Sequence, residues 1–262
     1  MVKVEVKDLD FTFGKGRNVL NGISLMIDKP GLYCIIGPNG VGKSTFVRCL
    51  NKIYNVPRNK VFIDGTDIND LSIKDNAKNM SYVPVGGDDT FALSVVDTIL
   101  VGRHTQQKWR TSEEDMEITY KAMKLMGIED LAMKRYNELS AGQHQKVAIA
   151  RGLVQETKFI ILDEPTANLD VRYQVYVTEL LKELAVKTGM TVLMISHDLN
   201  ITSRYADEVI VMAHPGVIHS MGKSEDVITE SMIKEVYGVD CEVIHDRYGK
   251  PHVILGSALR ID

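Results

Sequence analysis

Nine consecutive residues, Gly37, Pro38, Asn39, Gly40, Val41, Gly42, Lys43, Ser44 and Thr45, set three glycines beside a lysine and two hydroxyls. The apolar run Leu32 to Ile36 precedes them and the stretch Phe46 to Leu50 follows, so the context reads strand, turn, helix. Backbone N–H groups of Gly40, Val41, Gly42 and Lys43 can converge on one anion. The Lys43 amino group can reach the β and γ phosphates of a nucleotide, and the Ser44 hydroxyl can ligate Mg²⁺. Gly37, Gly40 and Gly42 permit backbone angles and a close phosphate approach that a Cβ would hinder. The pattern implies a pocket for ATP or GTP.

Three shorter motifs bear on the fate of the γ-phosphate. Phe159-Ile160-Ile161-Leu162 reads as a buried strand that delivers Asp163 to the Mg²⁺ shell and Glu164 to a water beside the γ-phosphate. Adjacent strand residues face opposite ways, so Glu164 must lie where the strand ends, next to Pro165. A carboxylate there can orient or deprotonate the attacking water. Ser140 is placed to cap a helix, and the small Ala141 and Gly142 leave its first N–H groups open to a second anion. His197, in Ser196-His197-Asp198, ends a strand where an imidazole can donate to the γ-phosphate; considered alone, such a histidine is more often locally satisfied than catalytic.

These residues need a scaffold. Residues 2–30 alternate as antiparallel strands, Val2 to Asp10 and Asn18 to Ile27, before strand 32–36 and helix 43–53. Short strands follow at 59–63 and 80–83. Helical character then runs from about 95 to 136: Ser94 caps one segment, and Thr111-Ser112-Glu113-Glu114 opens a second that stops at Gly127. The methionines of that helix, Met116, Met123 and Met126, read as core fill. A helix at 143–154, strand 158–162, helix 171–188, strand 190–195 and helix 198–204 complete an α/β alternation. Strands at 208–212 and 217–221, a helix at 229–237 and a hairpin around Gly249 form the tail. The expectation is a single α/β domain over 1–262 with a core sheet and flanking helices. An antiparallel β subdomain and the first part of the core occupy 1–90, a helical insert 91–156, the catalytic core 157–207 and a C-terminal appendage 208–262.

Composition narrows the class. With 262 residues, 44% hydrophobic and 25% charged, the chain can bury a sizeable core, and a net charge of −4 gives no support for nucleic-acid binding. Cys34 and Cys49 fall in apolar segments and Cys241 is distant, which reads as buried thiols in a reducing compartment. The N-terminus alternates apolar and charged residues rather than forming a signal peptide, and no apolar run is long enough to cross a bilayer.

Together the motifs resemble the ATP-binding cassette family, the motor subunits of ABC transporters, over essentially the whole chain. Gly37–Thr45 is similar to the family's Walker A motif, Leu139–Gln143 to its signature, Phe159–Glu164 to Walker B, Ala167–Asp170 to the D-loop and His197 to the switch histidine. The resemblance implies the P-loop NTPase fold and Mg-dependent ATP hydrolysis. It also implies head-to-tail dimers in which each ATP lies between Walker A of one copy and the signature of the other. Ser140, Ala141, Gly142 and Gln143 would then serve the partner's ATP, and Asp170 would join the nucleotide contacts. Phe13 matches the aromatic that stacks on adenine, or else it is a core aromatic alternating with Phe11. Two departures stand out. Ala141 replaces a glycine, mild if its methyl points away from phosphate and serious if inward. Val85 stands where the family usually has glutamine, which weakens hydrolysis or its coupling unless Asp88 or Asp89 takes over the polar role.

The segment Phe91 to His104 and the tail resemble the importer group for iron–siderophore, haem and cobalamin. That likeness implies a polytopic permease dimer pressing on residues around Val85 to Arg103. It also implies an extracytoplasmic substrate-binding protein as an indirect partner, and a place at the cytoplasmic face of the membrane. The competing expectation is a soluble ABC ATPase in a non-transport complex such as iron–sulfur cluster assembly.

Overall fold

Strands buried along their whole length require cover on both faces, and three such strands organise the molecule. The computed structural model describes residues 2–14, 16–86, 93–105, 111–167 and 169–259; Asp88, Asp89 and Phe91, named above, and Asn168, within the 167–170 stretch, lie outside them. The chain opens with the antiparallel pair β1 (Val4–Thr12) and β2 (Asn18–Ile27), followed by β3 (Gly31–Ile36) and α1 (Lys43–Leu50). β4 (Val61–Ile63) and β5 (Thr66–Asp67) return to β1, giving a sheet of order β2-β1-β4-β5. α2 (Ile73–Asn79) leads into β6 (Met80–Val83). Between β6 and β7 (Phe159–Leu162) come α3 (Val95–Leu100), a 3₁₀ turn at Val101–Thr105, α4 (Glu113–Met126) and α5 (Ala141–Leu153). Then follow α6 (Val171–Thr188), β8 (Thr191–Ile195), α7 (Leu199–Tyr205), β9 (Glu208–Ala213) and β10 (Val217–Gly222). The chain closes with α8 (Ser224–Val227), α9 (Glu230–Tyr237) and the hairpin β11 (Val239–His245) and β12 (Pro251–Ala258).

The central sheet has the order β10-β9-β3-β8-β7-β6, parallel except for β10. Leu32, Cys34, Ile36, Ile160, Leu162, Val192 and Met194 pack into one core with residues of α3 to α6. Tyr33, Ile35, Phe159, Ile161, Leu193 and Ile195 pack into the other with α1 and the antiparallel sheet. Alternation along each strand thus feeds two cores, each fully buried Ile or Leu contributing about 1.5–3 kcal/mol. Burial pushes the Cys34 and Cys49 thiols up to about 12, as expected of inert core cysteines. Among the described residues no helix is long and apolar enough to cross a membrane.

Several expectations need correction. α1 ends at Leu50 rather than 53, because the chain turns left-handed at Lys52 (φ 58°). α5 starts two residues earlier than expected, directly after Ser140. α2 has no apolar period to announce it and is set by its cap, the Ser72 hydroxyl accepting from Asp75 N. The buried face of α4 runs through Asp115, Thr119, Ala122, Met123 and Met126. Met116 lies off that face, 45% exposed, so it is not core fill.

Candidate nucleotide and catalytic site

The parallel register brings the chemistry together. Ile35 pairs with Ile195, Leu162 with Met194 and Val83 with Leu162, so β3, β8, β7 and β6 end in one row. Asp163 N donates to Val83 O (2.9 Å) and Ser196 N to Ile35 O (3.0 Å), which carries the ladder one step past the strands. The residues just beyond, 37–45, 163–164 and 196–197, therefore share one edge, where ligands of open α/β sheets bind.

The glycine-rich turn is held by its own groups. Lys43, only 6% exposed, donates from Nζ to Gly37 O (2.7 Å) and Pro38 O (3.0 Å). Burial lowers its pKa, and the charges of Glu164 and Asp163 partly oppose that. Gly42 precedes α1 in a left-handed conformation (φ 105°) and supplies no side-chain cap, which leaves the first N–H groups of the helix for an anion. Gly37 is fixed for a different reason than phosphate approach: a Cβ there would lie 2.3 Å from Met212 O of β9.

Ser44 Oγ donates to Asp163 Oδ1 at 2.9 Å, and Asp163 is 0% exposed. A hydroxyl and a carboxylate converging at the lysine turn are hard oxygen donors. They fit Mg²⁺ with nucleotide and water oxygens completing its shell. Glu164 sits past the strand end, as Pro165 implied, with a left-handed backbone (φ 53°). Such a conformation costs a non-glycine residue about 1–3 kcal/mol and marks a held position. Its Oε1 lies 2.7 Å from His197 Nε2, so the two residues expected around the γ-phosphate contact each other directly.

The second anion site lies elsewhere. The Ser140 hydroxyl accepts from Gln143 N (3.4 Å) and Gln143 Oε1 accepts from Ser140 N (3.0 Å), a reciprocal capping box. Ser140 and Ala141 are exposed, Gly142 half-buried, and a cavity of about 250 Å³ lined by Ser140, Gly142, Gln143, Lys146 and Tyr173 opens beside them. Among the described residues no hydrogen bond or ion pair joins 140–143 to 37–45. Asp170 caps α6, accepting from Tyr173 N at 3.0 Å. Phe13 is 50% exposed and meets Phe11 and Tyr54 edge-on, centroids 5.0 and 5.3 Å away, which removes the core-aromatic reading. Val85, 38% exposed, offers no polar group at its position.

Sequence reasoning passed over Tyr82 and Arg48. Tyr82 Oη donates to Asp163 Oδ2 (3.0 Å), and Arg48 Nε donates to Tyr82 Oη (3.2 Å). A signal was present for Arg48, four residues after Ser44 and so on the same helix face.

The ABC transporter family pattern matches residues 20–167, which hold the lysine turn, the capped end of α5 and both carboxylates. An uncharacterised ABC transporter ATP-binding protein of Methanocaldococcus jannaschii is 40% identical over 251 residues, 96% of this chain and 97% of that protein. The petrobactin import ATP-binding protein of Bacillus anthracis is 33% identical over 251 residues, 95% of this chain and 91% of that one. A solved dimeric ATP-binding cassette in a post-hydrolysis state, bound to ADP and phosphate, superposes with a TM-score of 0.74 at 26% identity, covering 84% of this chain and 98% of that one. The chain belongs to the ATP-binding subunits of ABC transporters, has their P-loop fold, and is an ATPase.

Proposed function

We propose that this chain is the motor subunit of an importer for an iron chelate, haem or cobalamin, working as a head-to-tail pair under a polytopic permease dimer at the cytoplasmic face of the membrane. The similarity to a petrobactin import subunit supports iron chelates first. An extracytoplasmic binding protein would deliver the cargo.

In this reading Lys43 exchanges the Gly37 and Pro38 carbonyls for β- and γ-phosphate oxygens, and the N-terminal N–H groups of α1 take the remaining charge. Ser44 and Asp163 would hold Mg²⁺, which would supply positive charge against the phosphates. Glu164, steadied by His197, orients the attacking water and accepts its proton, a contribution on the order of 10²–10⁴ in rate. Ser140, Ala141, Gly142 and Gln143 of a second copy close over the γ-phosphate, adding donors and excluding water. Hydrolysis removes the group that bridges the copies, so they part and the motion passes to the permease.

The observation that carries this reading is the exposed, self-capped end of α5, which among the described residues forms no hydrogen bond or ion pair with the lysine turn of its own chain. The test is reconstitution in liposomes with a siderophore-importer permease and binding protein, comparing wild type with Glu164→Gln. Wild type is expected to drive ATP-dependent accumulation of ferric chelate, while Glu164→Gln stalls as an ATP-bound dimer and takes up nothing. A Glu164→Gln chain that stays monomeric when saturated with Mg-ATP and permease overturns the proposal.

A further inference from the structure

We infer that Tyr82, anchored by Arg48, is the positioning residue that aims the Asp163 carboxylate at the metal, an inference resting on the Mg-ATP site proposed above. Three elements build the arrangement. Tyr82 of β6 pairs with Ile161 of β7, and Asp163 follows two residues on, so both side chains leave the sheet on one face. Arg48 stands one turn beyond Ser44 on α1 and reaches the same spot.

Asp163 is wholly buried, so each carboxylate oxygen needs a protein or metal partner. Oδ1 accepts from Ser44 Oγ at 2.9 Å and Oδ2 from Tyr82 Oη at 3.0 Å. A phenol has one proton to give. Its donation to Asp163 leaves an Oη lone pair, which Arg48 Nε fills at 3.2 Å, while Arg48 Nη2 stands 3.8 Å from Oδ2. An ordinary tyrosine phenol keeps its proton at neutral pH, so it can act as this donor. Arg48 is itself fixed at its far side, Nη1 donating to Tyr54 Oη at 3.2 Å, and Tyr54 stacks on Phe11 with centroids 5.3 Å apart. With Oδ2 taken, rotation about the Asp163 Cβ–Cγ bond is blocked and Oδ1 stays turned to Ser44. The side chain of Val85, two residues past β6, carries no donor or acceptor, so the side-chain hydrogen bond from β6 to the Asp163 carboxylate comes from Tyr82.

The test uses the Glu164→Gln chain with ADP, which removes turnover. Mn²⁺ affinity is read by electron paramagnetic resonance, and ADP affinity by calorimetry with and without metal. Adding Tyr82→Phe is expected to weaken Mn²⁺ binding about tenfold, the scale of losing an outer-shell partner, with metal-free ADP affinity unchanged. Arg48→Gln, which frees the phenol to turn, is expected to cause a smaller loss in the same direction. Mn²⁺ affinity equal to the parent in both variants overturns the inference, as does a parallel fall in metal-free ADP affinity. If the parent itself binds ADP no better with metal than without, the Mg-ATP reading fails instead.

Discussion

The edge of the central sheet and the start of α5 are the two places proposed to hold an anion, and they are finished to different degrees. At the sheet edge Lys43, Ser44, Asp163, Glu164 and His197 are already engaged with one another or with the turn, and two of them are almost entirely buried. At the start of α5, Ser140 and Gln143 cap each other in a reciprocal box, and Ser140 and Ala141 are exposed. Buried polar groups must be paired within the chain, whereas exposed ones can wait for a partner. In the proposed reading the first region carries the catalytic groups of its own chain, and the second is a preformed donor for another copy.

The largest expected effect breaks the first region. Lys43→Ala removes the buried cation and leaves the Gly37 and Pro38 carbonyls without their donor. Phosphate release at saturating nucleotide should fall by on the order of 10²–10³, the range for losing one preorganised charge-stabilising donor. Nucleotide affinity of the isolated chain should fall with it. An unchanged affinity means that the turn does not hold phosphate through this lysine.

A smaller effect sharpens the second region, because Ser140 has both a capping role and a proposed anion role. Ser140→Asp keeps a good cap, so stability should stay within about 0.5 kcal/mol of wild type in urea unfolding. The new carboxylate would face a phosphate across the closed pair, so turnover should drop at least about tenfold, below the several kcal/mol a like-charge approach can cost. Nucleotide binding by the single chain should not move. A variant that turns over normally removes the anion role and leaves Ser140 a cap.

The difference between the regions also explains what was legible in the sequence. Glycines, a lysine and hydroxyls between a buried strand and a helix are local signals, and so are the caps at Ser94, Ser112 and Ser140; the predicted span of α6 matched at both ends. What stayed hidden depends on contacts between distant segments. The need for glycine at 37 comes from Met212 on β9, and the hold on Asp163 comes from a tyrosine on another strand and an arginine on α1. Periodicity also left the phase of α4 open: Met123 and Met126 face inward while Met116 does not, and only the packing of α4 decides between them.

The mildest change for turnover probes how the second region is braced to the first. Arg103 is buried and donates from Nε to Asp115 Oδ1 (2.8 Å) and from Nη1 to Val154 O and Glu156 Oε2 (both 2.7 Å). It thereby ties the start of α4 to the link between α5 and β7. The Asp115 carboxyl is held at about 2 rather than 3.8, chiefly by the Ser112 backbone N–H and next by Arg103, against its own burial. A folded-state value below the unfolded one means stabilisation that is complete above about pH 4 and lost as pH falls towards 2. Asp115→Asn should therefore cost about 3 kcal/mol at pH 7, the lower end for breaking a buried pair, because Glu156 still meets the guanidinium. Melting curves of wild type and variant should converge between pH 4 and 2. A gap that stays constant over that range denies the carboxylate charge its role. Turnover at 25 °C should change only a few-fold, since nothing at the sheet edge is touched. If turnover collapses while the fold holds, the brace presents α5 to its partner, and the two regions are less separable than their hydrogen bonds imply.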